Sequence, residues 1–127
     1  MPFDFNQYEV FARALRSGPD EVHYRNSISR GYYAFYHKVK TFFGHPDGTY
    51  VTHEALINEL LTDPRLKKGA KLSNYMKSCK NERVQADYYR TPKDRHVVFN
   101  AAFCQRFWGS YDSYNAILGQ ETLNEEE

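Results

Sequence analysis

Apolar side chains recur at helical spacing along almost the whole chain, and turn residues cut that pattern into short runs. The plainest case is Ile28, Tyr32, Phe35, Val39 and Phe42, spaced by four and three, with Tyr36 and Phe43 widening the stripe. This spacing gathers the side chains on one side of an α-helix, which must then be buried against another element. No stretch of useful length alternates apolar and polar residues as a half-buried strand would. An all-α fold is expected.

The breaks define the elements. A first helix is expected over 6–16, ended by Ser17-Gly18-Pro19-Asp20, with Pro19 suited to the first turn of the next helix. A second helix should cover 20–43 and stop at Gly44-His45-Pro46-Asp47-Gly48, the clearest turn signal in the chain. Thr52 can cap a short third helix to Leu61, which Asp63-Pro64 stops. A fourth is expected over 71–89. Thr91-Pro92-Lys93-Asp94 reads as the start of the last, with Thr91 as N-cap and Pro92 at the first position, and this helix should run to about Leu118. Helices joined by short breaks pack as an antiparallel up-and-down bundle, here of four to five helices. The 127 residues suffice for one domain, 1–120, followed by an acidic tail, 121–127, expected to fray.

Aromatic residues make up 17% of the chain, so rings must fill many core positions and several Tyr hydroxyls need partners. No apolar run approaches the ~20 residues of a membrane span, and Met1 to Tyr8 carries acid rather than a basic and then apolar leader. A cytoplasmic protein without a membrane partner is expected. Cys79 and Cys104 both fall on apolar helix faces and read as buried free thiols. There is no P-loop, dinucleotide-binding glycine pattern, zinc spacing or Glu-x-x-His motif, so no metal or cofactor is expected.

Net charge is only +1, but it is unevenly spread. From Arg65 to Arg95 ten Lys and Arg face three acids, which leaves seven basic and thirteen acidic residues elsewhere. Such a segment is either a local anion-binding surface, drawing on Lys67, Lys68, Lys71, Lys77, Lys80 and Arg83, or a solvated helix face. On the second helix, His23, Ser27, Arg30, Ala34, His37 and Thr41 fall along one line opposite the core stripe. Arg30 and His37 differ by only about 20° around the axis but are separated by about 10 Å along it. A phosphate-binding Arg and a proton-transferring His are one reading of this pair; a solvated face is the other. Helical side chains lean toward the N-terminus, so a site shared by the two needs another helix or a second chain to complete it.

The last helix carries two apolar stripes, Val97, Ala101, Cys104, Trp108, Tyr111 and Leu118, and then Phe103, Phe107, Tyr114 and Ile117. A helix apolar on two faces is central in its bundle or covered by a partner, and a homodimer is expected.

Three segments resemble one family. Ser29-Arg30-Gly31-Tyr32-Tyr33-Ala34-Phe35-Tyr36-His37 is similar to the helix motif S-R-x-Y-Y-A-x-(aromatic)-H of the small stand-alone HEPN-domain proteins of prokaryotes, with Gly31 where members often carry Ala. Thr52-His53, followed by Leu56, Ile57 and Leu60, resembles the family's short helix with its leading His. Arg83-Val84-Gln85-Ala86-Asp87-Tyr88 resembles its R-x-x-A-D-Y element. The resemblance spans roughly Arg25 to Tyr89. It implies a helical bundle, often dimeric, that binds RNA or nucleotide, in some cases with a nucleotidyltransferase or antitoxin partner. Many members are metal-independent endoribonucleases of toxin–antitoxin and antiviral defence systems, with an Arg, a spacer of four to six residues and a His.

Here the pattern departs from the family. Arg83 matches the late-helix Arg, but Asp87, Tyr88 and Tyr89 stand where the His is expected. Arg30 and His37 have a six-residue spacer on the earlier helix, and Arg90 and His96 have a five-residue spacer with Pro92 between them. All five residues are candidate catalytic groups. Ser29, Tyr33, His53, Asp87 and Tyr88 are candidate supports: Arg83 and Asp87 are spaced to form an ion pair, Tyr88 to be a core ring, and His53 to help start its helix. Two functions remain open: an RNA-cleaving enzyme, or a non-catalytic module that binds RNA or nucleotide.

Overall fold

The computed structural model of the chain describes residues 5–46, 48–89 and 98–123. Five helices and no strand occur among them: α1 Asn6–Leu15, α2 Glu21–Phe42, α3 His53–Thr62, α4 Gly69–Tyr88 and α5 Ala101–Gln120. The all-α bundle is as expected. The expected start of the last helix at Thr91-Pro92 lies outside the described residues, and α5 begins at Ala101.

Side chains start three of the helices. Asp20 accepts from the His23 amide, Thr52 from the Ala55 amide at 3.0 Å and Asn100 from the Phe103 amide at 2.8 Å, each satisfying a donor the helix leaves open. Pro19 thus stands just before the N-cap rather than inside the first turn. At the far end of α2 the chain turns through Gly44 at φ 75°. The Gly44 amide donates to Thr41 O and the His45 amide to Lys40 O, a Schellman ending that needs the left-handed conformation glycine adopts freely.

Helix α2 is central, with α1, α4 and α5 packed around it and α3 lying against α4. The stripe read from the sequence is the core: Ile28, Tyr32, Phe35 and Val39 are fully buried, meeting Leu56, Leu60, Leu72, Met76 and Tyr111. Phe35 places its ring edge-on to Tyr75 and to Tyr111, the arrangement that aromatic quadrupoles favour. Two close approaches depend on glycine. A Cβ at Gly69 would lie 2.2 Å from the Leu60 carbonyl oxygen, and one at Gly31 would lie 2.7 Å from the Phe107 ring.

The line of polar residues opposite the α2 stripe is only partly exposed: Arg30 and Thr41 face solvent, whereas Ser27 and Ala34 are buried. Ser27 is fully buried, donating to Ala12 O at 2.7 Å and accepting from Trp108 Nε1 at 2.9 Å, so that one hydroxyl joins α1, α2 and α5. Ala34 is also buried and lines a cavity of about 540 Å³ together with Asn6 of α1 and Asn115 and Leu118 of α5. Small residues on a helix face read as a gap in a sequence; neighbouring helices fill that gap at Ser27 and leave it open at Ala34. Cys79 and Cys104 are buried free thiols, as expected, and burial pushes the Cys79 thiol up to about 12. No helix among the described residues is long and apolar enough to cross a membrane.

Candidate nucleic-acid interface around Arg83

Three stretches far apart in sequence meet at the junction of α2, α3 and α4. Ser29 and the Tyr32–Tyr33 pair come from α2, His53 opens α3, and Arg83, Asp87 and Tyr88 close α4. Ser29 Oγ donates to Asp87 Oδ2 at 3.0 Å, and Arg83 donates to the same oxygen at 3.3 Å. The Arg83–Asp87 pair expected from the spacing is therefore present, and it also ties α4 to α2.

Arg83 is buried, with 8% of its surface exposed, and its guanidinium sits among three rings: Tyr33 at 5.5 Å, Tyr32 at 5.7 Å and Tyr88 at 5.8 Å. Rings at this range attract a cation by about 0.5–2 kcal/mol each, which offsets part of its desolvation. A guanidinium carries five N–H donors; Asp87 accepts from one, Tyr88 is a second side-chain hydrogen-bond partner, and Nε is buried without a partner among the described residues. Tyr88 differs from expectation: it is 72% exposed, not a core ring, because it occupies the last residue of α4, beyond the packed part of the helix.

His53 lies behind this group. The Tyr32 hydroxyl is hydrogen-bonded to His53 Nδ1, and the Tyr33 ring stands edge-on to the imidazole at 6.3 Å. Burial, with the charges of Arg83 and Lys80 added, holds His53 below the ordinary histidine range, while Glu54 opposes. The ring is neutral at pH 7. A neutral imidazole either accepts from the Tyr32 hydroxyl at Nδ1 and carries its proton on Nε2, or donates Nδ1–H to that oxygen and keeps a lone pair on Nε2. Burial keeps Tyr32 itself protonated well above the ordinary tyrosine range.

The basic residues are not one patch. At about 100° per residue Lys80 lies roughly 60° around α4 from Arg83, and Lys77 roughly 60° beyond that, so these three share an arc. Lys80 is ion-paired with Glu54, and Lys77 is exposed. Lys71 falls about 120° from Lys77 on another side. Lys67 and Lys68 precede α4, where their main-chain amides donate to the Glu121 carboxylate at 3.2 and 2.6 Å.

The Arg30–His37 pair sits elsewhere. Arg30 is exposed. The His37 ring stacks on Phe5 of the chain preceding α1 at 3.9 Å and lies parallel to Tyr8 at 5.8 Å. Tyr36 separates the two imidazoles, with its ring 5.1 Å from His37 and 4.7 Å from His53. Arg90 and His96 lie outside the described residues.

The sequence reading missed three contributors. Tyr32 is a core ring whose hydroxyl reaches the cluster, and Glu54 opposes Lys80. Arg25 donates to the carbonyls of Gln85, Ala86 and Tyr89, at 3.3, 3.1 and 2.6 Å, closing the C-terminal end of α4 beside the cluster. The lone acidic neighbour at Glu54 and the tyrosine doublet were visible signals; nothing local marked Arg25.

Among the described residues, no three His, Cys, Asp or Glu side chains gather as metal ligands would. Compared with known proteins, the chain matches no family model, no curated protein and no solved structure.

Proposed function

We propose that this chain is a HEPN-like module that binds RNA or nucleotide on the α4 arc of Arg83, Lys80 and Lys77, without cleaving it. One observation carries this reading: the three segments that resemble the family converge on a single under-satisfied guanidinium beside exposed lysine and an exposed ring. Lysine and arginine on one arc supply the phosphate contacts, and Tyr88 offers a face on which a base can stack. Arg83 is pre-positioned by Asp87 and three rings, so little freedom is lost when a phosphate arrives.

A metal-independent endoribonuclease is the second reading, favoured by the neutral state of His53 beside two cations. Against it, His53 Nδ1 is already hydrogen-bonded to Tyr32, and the His37 ring is stacked on Phe5 and Tyr8. A cytoplasmic setting and a homodimer, expected from the sequence itself, and a nucleotidyltransferase or antitoxin partner and a role in defence, implied by the resemblance, belong to the same proposal.

The test incubates the purified chain with end-labelled structured RNA in EDTA, beside His37→Ala, His53→Ala and His96→Ala variants. Retention of intact RNA is expected for all four proteins. Cleavage by the wild type that is lost in one variant would replace the binding reading with the ribonuclease and identify its acid–base group.

A further inference from the structure

On the other side of α4, facing α5, the bundle leaves a cleft of about 360 Å³ lined in part by Tyr75, Glu82, Phe103, Phe107 and Tyr114. This volume is in the range of small-molecule sites. Glu82 is half-buried there and forms no ion pair or hydrogen bond among the described residues. Burial alone pushes its carboxyl up to about 7. A desolvated carboxylate without a partner is costly in a fold, and either a proton or a bound cation relieves that cost.

The remaining walls suit a flat one. Tyr75 and Tyr114 stack on each other at 4.2 Å with their planes 6° apart and line the cleft as one packed pair, and Phe103 and Phe107 add two more rings. Tyr75 is buried, with 8% of its surface exposed, and its hydroxyl lies against the Cys79 thiol. The other titratable groups of the lining are Tyr75 on the same helix and Arg106 and Tyr114 on α5. Arg106 is exposed and directed over the Phe103 ring at 5.8 Å, so it does not neutralise Glu82. Its charge, facing water, is screened.

We propose that the α4/α5 cleft binds a small guanidinium compound, packed against its aromatic lining with the two N–H groups of one edge donated to the Glu82 carboxylate. A guanidinium is planar, weakly hydrated, stacks on rings and pairs bidentately with a carboxylate, so Glu82 and the rings of the cleft have counterparts in the ligand. This site lies on a different face of α4 from the Arg83 arc and does not depend on nucleic-acid binding.

The experiment titrates butylguanidinium and its neutral isostere butylurea into the full chain at pH 8, following the ring protons of Phe103, Phe107 and Tyr114 by NMR and the affinity by calorimetry. Butylguanidinium should bind at about millimolar affinity or tighter, and butylurea should bind about tenfold more weakly or not at all. Glu82→Gln, which keeps the shape of the side chain, should remove that difference. Ser110→Trp, which fills the cleft from the exposed side of α5, should abolish binding of both, and Lys80→Ala should leave it unchanged. Equal affinity for the two compounds in the wild type, undiminished binding by Glu82→Gln, or absence of any ring shift would overturn the proposal.

Discussion

Ser29 donates its hydroxyl to Asp87 Oδ2 at 3.0 Å, fastening the middle of α2 to the last turn of α4. The bond orders the carboxylate that also receives Arg83, so that it carries part of the positioning of the guanidinium. A double-mutant cycle of Ser29→Ala and Asp87→Asn should show coupling of about 0.5–1.5 kcal/mol in urea denaturation. Coupling near zero would mean that each side chain is held independently.

Gly31→Ala tests the packing of α5 on α2. In an open helix this change would gain about 1 kcal/mol. Here the added methyl meets the Phe107 ring at 2.7 Å and Trp108 at 3.0 Å, both on buried side chains. Overpacking of this kind costs about 1–3 kcal/mol, so net destabilisation and a lower Tm are expected by thermal denaturation. A rise in Tm would show that α5 moves away freely.

How much of this could be read from the sequence differs by element. The α2 core stripe and the Thr52 cap were legible because helical periodicity and capping chemistry are local. The Arg83–Asp87 pair was legible because its spacing alone brings the groups together. The role of Ser27 was not, because a buried serine and an exposed one look alike until Ala12 and Trp108 are placed beside it. The basic segment from Arg65 to Arg95 left an anion-binding surface and a solvated face both open, and helical rotation turns Lys71 away from Lys77 while the Lys67–Lys68 amides face Glu121. His37 likewise looked available until Phe5 was found stacked on it.

Glu82 makes stability fall as pH rises. Its carboxyl titrates near 7 in the fold and at the ordinary glutamate value when unfolded, so the folded chain binds the proton more tightly. That contribution is full below about pH 4 and is lost as pH climbs through 7. Glu82→Gln should therefore match the wild type at pH 4 and exceed it by about 1–3 kcal/mol at pH 8.5, after allowing for partial solvent screening. Denaturant titrations at the two pH values check this, and an equal gain at both would assign the effect to packing.

Arg83→Lys separates charge from shape at the proposed interface. The lysine keeps a positive charge but loses the planar fork that rests among Tyr32, Tyr33 and Tyr88. Affinity for a structured RNA should fall about tenfold while the salt dependence changes little. If Arg83→Lys binds as the wild type does, the fork is not used.

The central claim is that RNA or nucleotide phosphate is held on the arc of Arg83, Lys80 and Lys77, and the salt dependence of binding tests it most directly. Affinity for a short structured RNA would be measured between about 50 and 200 mM salt for the wild type and for the Lys77→Ala/Lys80→Ala pair. The account predicts salt-sensitive binding by the wild type, and in the paired variant a weaker complex whose log–log slope is shallower by about one for each phosphate contact removed. An unchanged slope and affinity in the variant, or no binding by the wild type at the lowest salt, would contradict it.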